Sequence, residues 1–295
     1  MSEGRLDWEA GWTWYRIEGD LGGDGNAPVV LLHGGPGAAH DYIESLTELA
    51  RVAGRPCVIY DQLGCGHSQH LTEAGADFWT VELFRRELNA LLDHLGISDR
   101  YHVLGQSWGG MLGMEHALER PPGLRSLVVA NSPASMDLWV REANRLRELL
   151  PADVQATLTR HEQAGTTDDP EYEQAMMVFY ERHVCRIPFP DGLQRTFAQL
   201  AADPTVYHTM NGPSEFHVIG TLRDWDITPR LGELRVPMLV ISGEHDEATP
   251  AVVRPLVEAV PGARWELVEG ASHTTHLERP ELFLKLVEEF FAAND

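Results

Sequence analysis

Short apolar runs alternate with helical stripes along the first third of the chain. Pro28-Val-Val-Leu-Leu32 ends in glycines and reads as a buried strand, and Pro56-Cys-Val-Ile-Tyr60 reads as a second. A helix is expected between them, over 41–53. Val81, Phe84, Leu88, Leu91, Leu92 and Leu95 then recur at helical spacing, which turns one apolar face toward a core. A strand over 101–104, a helix over 108–119 and a strand over 124–130 follow. The rhythm resumes late in the chain, with a strand over 236–241, a helix over 250–260 and a strand over 263–268. The last helix opens at Pro280, a favoured first-turn residue, and carries Leu282, Phe283, Leu286, Val287, Phe290 and Phe291. Upstream, Trp8, Trp12, Trp14 and Ile17 suggest an N-terminal hairpin, with the glycine-rich stretch 19–25 as the turn into the sheet. Such alternation predicts an α/β fold with a mostly parallel central sheet covered by helices on both faces.

Residues 134–225 break the rhythm and read as helices only, over 137–150, 153–163, 170–184 and 193–202. Asp169 ahead of Pro170 is a good helix start. The organisation expected is an α/β core from 1–133 and 226–295, with an all-helical cap inserted at 134–225 as a lid over the site.

Composition narrows the function classes. The chain has 295 residues, 43% hydrophobic and 23% charged, ordinary usage for a folded domain and unlike a disordered chain or coiled coil. No apolar run approaches the roughly 20 residues needed to cross a bilayer. The polar start, Met1 to Arg5, lacks the basic-then-apolar order of a secretory signal. Cys57, Cys65 and Cys185 are too few and too scattered for a disulfide framework or a zinc pattern. A cytoplasmic protein is the expectation. A net charge of -22 argues against nucleic acid and anionic membranes as partners, and admits a cationic substrate.

Gly105-Gln-Ser-Trp-Gly109 stands between an expected strand and an expected helix, the context in which G-x-S-x-G carries chemistry. A tight strand-to-helix turn lifts the Ser107 hydroxyl clear of the sheet and needs small neighbours. A serine hydroxyl also needs a base. Asp246 in Gly243-Glu-His-Asp246 and His273 in Gly270-Ala-Ser-His273 both follow late strands, in the order Ser, acid, His. His273 would take the proton from Ser107, and Asp246 would hold the ring's tautomer. His276 and His245 compete for these roles less well. Asp224 and Asp226 precede the strand and read as surface or hinge acids. Pairing His273 with His276 as metal ligands lacks a completing cysteine or carboxylate. For the oxyanion, His33-Gly-Gly-Pro-Gly37 follows the first buried strand. Pro36 cannot donate, so the expected donors are the amides of Gly35 and Trp108.

His33-Gly-Gly-Pro-Gly37, Asp61-Gln-Leu-Gly-Cys-Gly-His-Ser68, Gly105-Gln-Ser-Trp-Gly-Gly110, Asn211-Gly-Pro-Ser-Glu-Phe216 and Gly243-Glu-His-Asp-Glu247 together resemble the proline iminopeptidase family of α/β-hydrolases. The resemblance implies a serine aminopeptidase that releases an N-terminal residue, preferably proline, through an acyl-enzyme, with no metal or cofactor. It also implies that Glu215 and Glu247 hold the free α-amino group of a small peptide or aminoacyl amide. A buried carboxylate pair rewards an ammonium group and is left uncompensated without one. Trp108, Phe179, Tyr180 and Phe216 are open candidates for the proline pocket. Cys65 and Glu244 are expected to be structural. An amidase or esterase on the same scaffold is the alternative reading. A binding protein on a hydrolase scaffold would usually show a broken Ser-Asp-His set, and here all three residues are present.

Overall fold

The computed structural model describes residues 1–23 and 25–295. Strands β1 (Ser2–Trp8) and β2 (Gly11–Glu18) form the expected hairpin, and β2 pairs antiparallel with the strand Cys57–Tyr60. The glycine-rich turn expected at 19–25 includes Asp24, which lies outside the described residues. Then come β3 (Val29–Leu32), one-turn α1 (Leu49–Val52), β4 (Cys57–Tyr60), α2 (Val81–Leu95), β5 (Tyr101–Gln106), α3 (Trp108–Leu118) and β6 (Leu124–Ala130). Helices α4 (Met136–Arg147), α5 (Ala152–Ala164), α6 (Pro170–His183), α7 (Asp191–Ala202) and α8 (Thr205–Met210) fill the span before β7 (Met238–Gly243). The chain closes with α9 (Pro250–Ala259), β8 (Arg264–Val268), α10 (Thr275–Glu278) and α11 (Pro280–Ala292). Among the described residues, no helix is long and apolar enough to cross a membrane.

The helix expected over 41–53 is a correction. The chain there makes two 3-10 turns, over His40–Tyr42 and Glu44–Glu48, before α1. The His40 amide and ring both bond Asp61 Oδ1, at 2.7 and 2.9 Å, and the following amides bond three residues back, Ile43 to His40 and Leu46 to Ile43.

The sheet has eight strands in the order β1-β2-β4-β3-β5-β6-β7-β8, parallel from β4 through β8. Period-two alternation divides its residues between two cores. Val30, Leu32, Val58, Tyr60, Val103, Val129 and Val240 pack to one face, against α2, α3 and α9. Val29, Leu31, Ile59, Leu104, Val128, Leu239 and Ile241 pack to the other, against α11. The helices between β6 and β7 have a core of their own, with Leu146, Leu158, Tyr172, Phe179 and Phe216. Because the inner strands run parallel, the loops after β3, β5, β6, β7 and β8 gather at one edge, where sites in such sheets form.

Candidate active site

Ser107 sits between β5 and α3 with φ 56° and ψ -123°, a conformation that costs a non-glycine residue roughly 1–3 kcal/mol. Its neighbours explain how the turn survives. A Cβ on Gly105 would overlap the Gly109 carbonyl, and one on Gly109 would overlap the Leu32 carbonyl. Ser132 Oγ, from the loop after β6, donates to the Ser107 carbonyl at 2.7 Å and holds the turn from below. Gly109→Ala is therefore expected to destabilise the protein by about 3 kcal/mol, because backbone rather than a flexible side chain must move. Chemical denaturation measures this, and a loss under 0.5 kcal/mol (roughly the range of a surface change) would contradict it.

Asp246 and His273 come together from the loops after β7 and β8. His273 Nδ1 and Asp246 Oδ1 lie 2.9 Å apart. The Ala248 amide donates to Oδ1 at 2.8 Å, and Asn131 Nδ2 donates to Oδ2 at 2.6 Å. A buried carboxylate with this many donors stays put and fixes the ring beside it. The hydroxyl of Ser107 and the ring of His273 line the same pocket without a direct hydrogen bond, a contact that in serine hydrolases tightens when a reacting group is bound. Nε2 of His273 lies 3.8 Å from Oε1 of Glu247. His276 faces elsewhere. It is buried, with Nε2 2.9 Å from the Tyr42 carbonyl, and burial pushes its pKa down to about 4. Asp224 is exposed, and Asp226 caps the turn at Thr228.

The loop after β3 turns through Gly35 at φ 108°. The Gly34 amide donates to the Tyr42 hydroxyl at 2.7 Å, and Gly35 lines a pocket together with Ser107. Tyr42 in turn donates to Gln106 Oε1 at 2.5 Å, and Gln106 Nε2 donates to the His273 carbonyl at 3.0 Å. The loop, the serine turn and the histidine loop are thereby tied together. Trp108 presents its amide at the start of α3, and its indole is anchored on Gln62 Oε1 at 2.8 Å. Cys65 is buried, with Sγ donating to the Gln62 carbonyl at 3.0 Å, and burial pushes its thiol well up. Glu244 Oε2 accepts the Gly270 amide at 2.9 Å.

Two pockets flank Ser107, and both include Gly35 and Glu215. The larger adds Val184, Leu193, Phe197 and Leu200, and the smaller, a narrow cleft, adds Met111, Pro133, Met136, Trp139 and Leu222. Of the aromatic residues singled out from the sequence, Trp108 lines the smaller pocket. Phe179, Tyr180 and Phe216, for which core packing is the other reading, line neither. They close the core of the helical layer, where Phe179 and Phe216 meet at 4.9 Å. Large aromatics in an all-helical segment serve that segment's own packing first.

Glu247 is buried and Glu215 is half-buried. Tyr207 donates to Glu215 Oε1 at 2.6 Å, while neither oxygen of Glu247 finds a hydrogen-bond partner among the described residues. Burial pushes both carboxyls up. At Glu247 the charges of Glu215 and Asp246 add to the effect, while at Glu215 the His273 ring and the Tyr207 hydroxyl offset part of it. Among the described residues, no lysine or arginine lines either pocket. Two close, desolvated acids without a cation form a site complementary to an ammonium group.

Sequence reasoning missed Asn131, Tyr207 and Trp139. Asn131 bears the clearest signal, since it directly follows β6 and takes the left-handed backbone that asparagine tolerates, φ 55°. Trp139 packs edge-on to the His273 ring at 5.6 Å, a contact between distant segments that no local pattern reveals.

A family model for the alpha/beta hydrolase fold matches residues 27–280. A proline iminopeptidase of Lactobacillus helveticus (strain DPC 4571) is 35% identical over 99% of this chain and 98% of its own. Among solved structures, VinJ superposes with a TM-score of 0.97 at 55% identity, covering 100% of this chain and 99% of its own. A proline iminopeptidase of Mycobacterium smegmatis superposes with a TM-score of 0.92 at 50% identity, covering 99% of this chain and 98% of its own.

Proposed function

The chain belongs to the proline iminopeptidase family of α/β-hydrolases, and from that membership we propose a serine aminopeptidase that releases an N-terminal residue, preferably proline, from small peptides or aminoacyl amides. One observation carries the reading: Glu215 lines the pocket shared by Ser107 and His273, and the buried Glu247, whose oxygens have no hydrogen-bond partner among the described residues, lies beside the His273 ring. The helices of 134–225 act as the cap that encloses this site.

Ser107 attacks the first peptide carbonyl as His273 takes its proton, and Asp246 steadies the imidazolium through Nδ1. The amides of Gly35 and Trp108 receive the oxyanion. His273 then protonates the leaving amine, and water hydrolyses the acyl-enzyme. Glu215 and Glu247 hold the substrate's ammonium group, so that an internal amide, which has no charge to stabilise the ionised pair, is disfavoured. Met111, Pro133, Met136, Trp139 and Leu222 beside Ser107 are the side chains proposed to meet the substrate's pyrrolidine ring.

Two measurements test the reading. Hydrolysis of a panel of aminoacyl arylamides should favour prolyl, and equal rates across the panel would remove the proline preference. Proton release tests the carboxylate pair. The free protein holds protons on these acids above the usual carboxylate range, and an ammonium group binds the ionised pair. Binding of prolinamide to the Ser107→Ala protein should therefore release protons at pH values above the usual carboxylate range and should tighten as pH rises, until the amine itself loses its charge. Calorimetry in buffers of different ionisation heat reads this directly, and no released proton at any pH above the usual carboxylate range would count against the pair.

A further inference from the structure

The last carbonyls of an α-helix have no partner inside the helix. At the end of α6 they are taken by the histidine loop. The His183 carbonyl accepts the His273 amide at 3.0 Å, and the Val184 carbonyl accepts both the Thr274 amide and the Thr274 hydroxyl at 2.9 Å. The same His183 reaches the other loop. Its Nδ1 lies 2.9 Å from the carbonyl of His245, the residue before Asp246. A carbonyl only accepts, so Nδ1 carries the hydrogen. The stitching continues one step further. The Arg186 amide donates to Glu278 Oε1 at 2.5 Å, and Ser272 Oγ donates to the same carboxylate at 2.9 Å. His183 lines neither pocket beside Ser107, and its ring packs on Phe179 at 4.9 Å.

We propose that His183 is a positioning residue through which the helical layer sets the His273–Asp246 pair, joining the histidine loop by its carbonyl and the aspartate loop by its ring. This rests on reading Ser107, His273 and Asp246 as one catalytic set, and it adds that the set is completed by the cap and not by the α/β core alone. The strand ends deliver the two loops, and the end of α6 fixes their spacing.

The test contrasts His183→Leu, which keeps the apolar packing on Phe179 and removes the donor, with His183→Asn, whose amide can donate from nearly the same place as Nδ1. For hydrolysis of a prolyl arylamide, the Leu variant should lose about 10–100-fold in kcat with KM unchanged, the loss expected from a misplacement of up to about an ångström at the reacting groups. Inactivation by a fluorophosphonate, which bypasses amine recognition, should slow by the same factor. The Asn variant should recover most of both. Should the Leu variant fail to fold, Thr274→Val, which removes the hydroxyl bond to Val184, should show the same pattern more weakly. Unchanged kcat and labelling in the folded Leu variant would overturn the proposal. So would a loss confined to KM, or an Asn variant no better than Leu. Ser107→Ala in parallel separates the two readings: if it still labels, the catalytic set itself is misassigned and the positioning role falls with it.

Discussion

Replacing Ser107 by alanine is expected to lower kcat for a prolyl arylamide by about 10,000- to 1,000,000-fold and leave the fold intact. The size follows from its position. Ser107 carries the single hydroxyl placed on the turn between β5 and α3, in a pocket it shares with His273. The structural cost is small, because what holds the turn is backbone: the Ser107 carbonyl accepts from Ser132, and the Ser107 amide donates to the Ala130 carbonyl at 2.8 Å. Alanine keeps both bonds. Turnover, fluorophosphonate labelling and thermal unfolding of the same preparation check the claim. Retained turnover at unchanged Tm would remove Ser107 as nucleophile.

Glu247→Gln should separate function from stability. Loss of one buried carboxylate facing a desolvated ammonium costs about 2–5 kcal/mol, so kcat/KM for a free-amine substrate should fall by about 30- to 4,000-fold. A substrate whose amine is blocked should change little. Stability should move the other way. Burial raises the Glu247 carboxyl in the folded protein, so folding takes up a proton, and this group's contribution turns against the fold as pH rises from the ordinary carboxylate range through the raised value. Glutamine removes that titration. The variant should therefore unfold at a higher temperature than the parent, with the gap wider at pH 8 than at pH 5. A site kept at a cost to stability is the usual signature of function. A variant that is both less active and less stable at every pH would show that Glu247 supports the fold and not the substrate.

Much of the architecture was legible because one signal dominates it. Strands buried on both faces, such as Val29–Leu32 and Cys57–Tyr60, read as short apolar runs, and α2 reads as a stripe, whatever their tertiary partners. The segment 41–53 differs from the expected helix in its turn type: it is helical in short 3-10 pieces before α1, a distinction that apolar spacing over so few residues does not carry. The short α8 was missed since six residues carry too little periodicity to register. At the site, the glycines around Ser107 signalled their purpose through local sterics. The pocket walls did not. Met136 and Trp139 in the smaller pocket, and Phe197 and Leu200 in the larger, reach the site only through the way separate helices pack.

The carboxylate pair as a reader of the free N-terminus is tested most directly by one ratio. It is kcat/KM for prolyl arylamide over that for its N-acetyl counterpart, measured on the unmodified protein at neutral pH. A preference of at least about 100-fold for the free amine is predicted, the lower part of what a desolvated charge pair supplies. Equal cleavage of the two would contradict it.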